Sequence, residues 1–124
     1  MDEIAKRIVA VDLFVALTNV GTGLVVAGSV ADPAAYAWVG VAVVAMALPL
    51  AVASDRSEAG MWVLIGVGSL GILGLLVGWA TDTVPISVVP ALLVGLGIAL
   101  GMHRLVFGVL RPVPDARRAR LQSG

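Results

Sequence analysis

The chain has 124 residues, of which 60% are hydrophobic and 13% are charged, and its mean hydropathy is +1.05. A soluble domain of this length needs a largely polar surface around a small core, and this composition excludes one. The eight basic residues balance the eight acidic ones, and the lack of cysteine excludes disulfides, thiolate metal sites and thiol catalysis.

Four runs without any charged residue dominate the sequence, at residues 13–31, 33–54, 59–81 and 83–103. A helix needs about 20 residues to cross the hydrocarbon core of a bilayer. Lipid offers no hydrogen bonds to the backbone, so each run is expected to be helical. We therefore predict an all-α integral membrane protein, a four-helix bundle with up-down-up-down topology. The predicted helices span about residues 4–29, 34–53, 58–80 and 85–110.

The first predicted helix contains polar residues that lipid does not favour. Asp12 interrupts its start, and Asn19 lies near its middle. The segment before it is neutral overall, and the apolar run is longer than that of a signal peptide, so cleavage is not expected. Asn19 has no expected partner on its own helix. An interhelical hydrogen bond is the favoured interpretation, and a contact with a ligand or ion is the alternative.

Short connectors join the four helices, which predicts that helices adjacent in sequence are antiparallel neighbours in space. Asp32 and Asp82 are expected to close turns or cap the helices that follow, with Pro33 and Pro85 in a first helical turn. Pro49 and Pro90 are expected to remove backbone donors within the second and fourth helices. Residues 111–124 are predicted to form a short basic tail.

Glycines recur seven residues apart in three of the helices and therefore return to nearly the same helix face. Such small-residue grooves are how membrane helices pack, and we expect these glycines to pack the helices within one chain. The alternative is a stripe on the third helix that contacts another subunit. The predicted packing glycines are Gly21, Gly28, Gly71, Gly74, Gly78, Gly97, Gly101 and Gly108.

The fourth predicted helix carries His103 and Arg104 side by side in an apolar segment. Asp12 on the first helix is expected at a similar depth, and a guanidinium is the natural bidentate partner of a carboxylate. We predict that Asp12 pairs with Arg104, with His103 as a second contact, and that exchanging the two charges restores part of the folded yield. The predicted intramembrane polar cluster is Asp12, Asn19, His103 and Arg104.

All eight basic residues fall on one side of the four predicted helices, whereas Asp32 and Asp82 are the only charges on the other. This asymmetry predicts a multi-pass cell-membrane protein with both termini in the cytoplasm. Seven arginines against one lysine, with abundant alanine, valine and glycine, suggest a GC-rich prokaryotic genome. At an offset of 50 residues, Asn19–Asp32 aligns with Ser69–Asp82 through three identities, so an internal hairpin repeat is a further possibility.

No catalytic constellation, metal cluster or phosphate loop is present in the sequence, so we expect neither an enzyme nor a cofactor, and three arginines in the tail do not indicate nucleic-acid binding. In length and number of spans the chain resembles small multidrug-resistance transporters and fluoride channels, but it lacks their motifs and their balanced charge. The sequence predicts a small subunit or scaffold of a membrane assembly, in contact with lipid and with copies of itself or other membrane subunits. The alternatives are a self-associating transporter or channel and, more weakly, the membrane anchor of a respiratory enzyme.

Overall fold

The computed structural model describes residues 1–124 as five α-helices without β-strands. Helix α1 spans Glu3–Ala27, α2 spans Ala37–Arg56, α3 spans Glu58–Ala80, α4 spans Val89–Arg104 and α5 spans Asp115–Ser123. Short 3-10 turns at Pro33–Tyr36 and Ile86–Val88 precede α2 and α4, and a π-helical turn at Leu105–Leu110 extends α4. With these turns included, four segments are long and apolar enough to cross a membrane. The prediction of an all-α chain with four long apolar helices is confirmed.

The connectors follow from local capping chemistry. Asp32 and Asp82 adopt left-handed backbone angles, with φ of 46° and 54°, and each sits in the turn between two long helices. Asp32 makes no side-chain cap, so its role is to close the turn. Ser57 alone separates α2 from α3, and its side chain accepts the Gly60 N–H at 2.9 Å. Pro90 lies in the first turn of α4, where no backbone donor is lost.

The long helices lie in the spatial order α1, α4, α2, α3. Helix α4 packs between α1 and α2, and α3 packs chiefly on α2. The expectation that helices adjacent in sequence are neighbours in space holds for α2 and α3, but α1 and α2 are not extensive partners, nor are α3 and α4. The reason is that α4 has small residues on two flanks and is inserted between the first two helices.

Two glycines show how closely α4 approaches its neighbours. A Cβ on Gly97 would lie 2.6 Å from the Ala16 carbonyl oxygen of α1, and a Cβ on Gly95 would lie 2.8 Å from the Gly40 carbonyl oxygen of α2. Neither contact leaves room for a side chain. Helix α4 is antiparallel to α1 and parallel to α2, so the four long helices alternate up and down. We call the end with both termini and the α2–α3 connector the basic end.

The predicted packing glycines divide into three groups. On α4 and its extension, Gly97, Gly101 and Gly108 face α1 side chains or backbone. Gly78 faces Val84 in the loop that follows its own helix, and Gly28 meets only a carbonyl of its own last turn. No atom lies within 4 Å of the Cβ position at Gly21, Gly71 or Gly74. Four glycines outside the predicted set also make close helix contacts: Gly23, Gly40, Gly60 and Gly95.

Candidate functional site

A group of charged side chains lies inside the basic end, where α1, α2, α4 and α5 converge. We call Asp12, Asp55, His103, Arg104 and Arg117 the charged cluster. The side chains of Asp55, His103 and Arg104 are between 3% and 5% exposed, and that of Asp12 is 22% exposed. Charges buried to this degree are costly unless they are paired, so the geometry of the pairs determines what the cluster does.

Arg104 is the centre of the cluster. Its Nη2 lies 2.6 Å from Asp12 Oδ2, and its Nη1 lies 2.9 Å from Asp55 Oδ2. The same Nη1 donates to the Phe107 carbonyl at 3.0 Å. One guanidinium therefore links α1 to α2 through two carboxylates. The structure has the predicted contact between Asp12 and Arg104, and it adds a second acid that the prediction did not include.

His103 contacts Asp55 rather than Asp12. Its Nε2 lies 3.0 Å from Asp55 Oδ2, and its ring packs against Phe107 with the ring centroids 5.3 Å apart. The expectation that His103 is a second contact of Asp12 is therefore wrong. Consecutive residues on a helix point about 100° apart, so the side chain next to Arg104 reaches α2, where Asp55 is located, and not α1.

The end of α4 is shaped to hold Arg104 in this position. Phe107 departs from helical angles, with φ −101° and ψ 54°, inside the π-helical turn. This departure turns its carbonyl toward the Arg104 guanidinium, which supplies the missing hydrogen bond. Gly108 leaves space for the neighbouring Val9 and for the Arg104 stem, since a Cβ there would lie 2.6 Å from Val9 Cγ2. Local irregularity thus positions the buried cation.

Helix α5 covers the cluster from the basic end. Val113, 3% exposed, packs with Ala5, Ile8 and Val9 of α1 and fixes the point where α5 begins. Arg117 Nη2 lies 3.4 Å from Asp12 Oδ1, and Arg117 Nε lies 3.8 Å from Asp55 Oδ1. No residue of α5 itself is buried. The segment predicted as a basic tail is a helix that polar contacts hold against the other helices.

Asn19 does not join the charged cluster. Its amide donates to the Val15 carbonyl, one turn earlier on α1, at 2.9 Å. The expectation that this amide has no local partner is wrong, because the Val15 carbonyl can accept a second hydrogen bond beside the helical one. Of the four residues predicted to cluster, the structure therefore brings together Asp12, His103 and Arg104.

Sequence reasoning missed Asp55 and Arg117. The predicted second helix ends near residue 53 and leaves Asp55 in a connector, whereas α2 continues to Arg56. The available sequence signal was Ser57. As the N-cap of the third helix, it lets the second helix continue up to residue 56. Arg117 follows Pro114 and Asp115, a proline and an acid that are typical of a helix start. That pattern indicated a helix in the tail.

A partly enclosed cavity of about 240 Å³ lies beside the cluster. Its polar wall includes members of the charged cluster together with Ser54 and Arg120. Its apolar wall is formed by side chains from four helices: Val15, Ala51, Met61, Leu64 and Leu100. The cavity is thus amphipathic, with charges toward the basic end and hydrocarbon toward the middle of the long helices.

The chemistry of this arrangement is that of a compensated ion-pair network. Asp12 and Asp55 face Arg104 and Arg117, so the four formal charges sum to zero. The network joins three long helices and α5 at one level. Comparison with known proteins finds no matching family, curated protein or solved structure.

Proposed function

We propose that the protein is a polytopic membrane protein with both termini in the cytoplasm, and that it acts as a non-enzymatic subunit that self-associates through α3. Four long apolar helices support insertion into a bilayer. The basic end contains all eight lysines and arginines, which supports the cytoplasmic placement of the termini.

The single observation that carries the subunit function is the unpartnered outer face of α3. This helix packs chiefly on α2, and only Gly60 and Gly78 along its length are buried. By helical spacing, Gly66, Leu70, Leu73 and Val77 share the face turned away from α2, and Gly74 flanks it. Nothing lies within 4 Å of the Cβ positions of Gly66 and Gly74. Small residues on an open face allow the backbone of another helix to approach closely.

Disulfide crosslinking tests this proposal directly, because the chain contains no cysteine. Gly66→Cys and Gly74→Cys should each give a disulfide-linked dimer when the protein is oxidised in native membranes. Gly66 lies on the outer face and Gly74 points about 80° away at its edge, so both can lie near a second copy of α3. The measurement is the fraction of dimer on a non-reducing gel.

Gly21→Cys is the matched control. It is also a glycine in a long helix with nothing within 4 Å of its Cβ position, but it lies on α1. Equal dimer yields from Gly21→Cys and Gly74→Cys would show random collision in the membrane and contradict an α3 interface. A monomeric mass for the protein in gentle detergent, together with no crosslinking, would overturn the proposed self-association.

A further inference from the structure

The cations around the amphipathic cavity outnumber the acids. Asp12 and Asp55 are compensated by Arg104 and Arg117. Arg120 also lines the cavity, but its two partners are the backbone carbonyls of Ser54 and Ser57, the latter at 3.3 Å. Carbonyl oxygens accept hydrogen bonds without neutralising a charge. One positive charge at the cavity is therefore uncompensated.

Free donors lie on the same side of the cavity. Arg104 has no terminal N–H to spare, because its Nη1 and Nη2 already serve Asp12, Asp55 and the Phe107 carbonyl. Arg117 uses Nη2 for Asp12, which leaves its Nη1 without a partner. Arg120 uses one N–H on each terminal nitrogen and retains the second on each. Arg117 and Arg120 can therefore donate to a further acceptor, and the uncompensated charge favours an anionic one.

The apolar side of the cavity continues as a gap along α3. Leu64 lines the cavity, and Gly68, Gly71 and Leu75 follow it on the same helix face by helical spacing. Leu64 and Leu75 are partly buried, so this face is turned toward the rest of the protein. Yet no atom lies within 4 Å of the Cβ positions of Gly68 and Gly71. The surface of α3 beside Gly68 and Gly71 is therefore open above the charged end, and we call this open surface the cleft.

We propose that the cavity and this cleft bind one anionic phospholipid, with its phosphate at Arg117 and Arg120 and an acyl chain along Gly68 and Gly71. This inference rests on the proposed membrane insertion with the basic end at the cytoplasmic leaflet, but not on self-association. The charged end selects an oxyanion, and the apolar cleft distinguishes a lipid phosphate from a free one. Glycines at these two positions keep side chains of α3 out of the path of a hydrocarbon chain.

The test is lipid retention by the full-length protein, purified in detergent and measured by native mass spectrometry. Phosphatidylglycerol should be retained in one copy, in preference to phosphatidylcholine. Arg120→Gln should weaken that retention about tenfold, which corresponds to about 1.4 kcal/mol. Arg111→Gln is the matched control, because it removes the same charge from an exposed residue that does not line the cavity. Equal losses in the two variants would show only general surface attraction and would overturn the site.

A second pair of variants tests the acyl-chain cleft. Gly71→Leu should fill the cleft and reduce retention about tenfold, whereas Gly21→Leu, at an open position on α1, should leave it unchanged. Addition of inorganic phosphate or glycerol phosphate tests whether the bound anion must be part of a lipid. If they protect the folded protein as well as the lipid does, and Gly71→Leu has no effect, the site takes a free oxyanion and the lipid assignment fails.

Folding and insertion are separated from binding by two further measurements. Arg120→Lys keeps the charge but loses the planar fork, so it should retain more lipid than Arg120→Gln while folding as well. Retention by Arg120→Lys no better than by Arg120→Gln would contradict a charge-selective site. Extraction of the chain from membranes by alkaline carbonate would instead refute the proposed insertion. If Gly66→Cys and Gly74→Cys give no disulfide-linked dimer while lipid retention is normal, only the proposed self-association is refuted.

Discussion

Arg104 shows how a single buried side chain can determine the packing of several helices. A buried ion pair is not necessarily more stabilising than an apolar contact of the same size, but removal of one partner leaves the other uncompensated. Arg104 has two carboxylate partners, on α1 and α2. Its loss would therefore leave Asp12 and Asp55 with only the longer contacts of Arg117, at 3.4 and 3.8 Å, and the His103 contact of Asp55, while loss of Asp12 would leave Arg104 paired with Asp55. The residues of the cluster are not equivalent.

The sequence predicted that exchanging the charges of Asp12 and Arg104 restores part of the folded yield, but with Asp55 beside Arg104 we now expect this exchange to fail. Arg104→Ala should destabilise the protein by about 3–5 kcal/mol, because it uncovers two acids. In the double variant Asp12→Arg with Arg104→Asp, the new acid would lie beside Asp55 and repel it. We expect a folded yield no higher than that of Arg104→Ala, measured by size-exclusion chromatography in detergent.

The comparison that isolates this effect is the triple variant that also carries Asp55→Asn. Without the second acid, the pair created by Asp12→Arg and Arg104→Asp should recover part of the folded yield. Arg111→Ala is the control for removal of a surface arginine. Recovery by the double variant alone would show that Asp55 does not contact Arg104 in the folded protein. The sequence predicted the pair but not Asp55, since the end of a helix is the least certain part of a prediction from sequence.

Asp2 provides a pH-dependent contact outside the long apolar segments. Its carboxylate accepts the Ala5 N–H at 2.8 Å and pairs with Arg118 of α5. The backbone hydrogen bond from Ala5, assisted by the charges of Arg118 and the N-terminus, lowers the pKa of Asp2 below its ordinary value of 3.8. A pKa lowered in the folded state gives stability that is complete above the unfolded pKa and is lost as the pH falls through the folded pKa.

Acidification should therefore loosen the start of α1 and the contact with α5 together. We expect the amide signal of Ala5 and the guanidinium signal of Arg118 to shift together with a midpoint below pH 3.8, the ordinary pKa of the group, measured by NMR in detergent. Asp2→Asn keeps a capping oxygen but has no charge, so the Arg118 signal should no longer respond. An unchanged response in Asp2→Asn would assign the titration to another carboxyl group.

At the scale of helices, hydrophobic runs predicted the four long elements well, because length and the absence of charge suffice to identify them. The spatial order was less predictable. It depends on which glycines meet another backbone, and spacing alone does not distinguish Gly97, which faces α1, from Gly21, which faces open space. Packing of α4 between α1 and α2 is a tertiary property, and short connectors do not fix it.

Gly97→Leu tests this packing. Its Cβ would lie 2.6 Å from the Ala16 carbonyl oxygen and 2.9 Å from the Val20 backbone nitrogen, so α1 and α4 would have to separate. We expect a loss of about 1–3 kcal/mol or more in the free energy of unfolding, the usual cost of overpacking a well-packed contact. Reversible unfolding in a mixed-detergent titration gives the value.

The same substitution at Gly21 supplies the comparison for Gly97→Leu. Its Cβ position is open, and leucine favours the helix by up to about 1 kcal/mol over glycine. Gly21→Leu should therefore leave stability unchanged or raise it. A similar loss for the two variants would mean that α1 and α4 do not pack through Gly97.

At the scale of the whole molecule, the arrangement has the pattern of two related hairpins. If the labels of α1 and α3 are exchanged, and those of α2 and α4 likewise, the spatial order α1, α4, α2, α3 becomes α3, α2, α4, α1. This is the same order read backwards. Each hairpin turn also contains a left-handed aspartate followed by a 3-10 turn. Of the three sequence identities at an offset of 50 residues, the one between Asp32 and Asp82 coincides with this correspondence of the turns.

The alternating directions place the charges unequally at the two ends. The turns at Asp32 and Asp82 form one end and contain no lysine or arginine, while all eight basic residues lie at the other. Ion pairing within the cluster compensates Arg104 and Arg117, but lysines and arginines set orientation largely independently of acidic residues. Six further basic residues remain at that end. Both termini should therefore stay in the cytoplasm.

Reporter fusions test this orientation. A fluorescent protein that folds only in the cytoplasm should be active at either terminus, and alkaline phosphatase, active only outside the cytoplasm, should be active when inserted between residues 31 and 33. Lys6→Gln with Arg7→Gln should not change this result, because the other basic residues remain on the same side of the four helices. Phosphatase activity from a fusion to the C-terminus would show the opposite orientation. It would also place Arg117 and Arg120 at the outer leaflet, and the anionic lipid would then have to come from there.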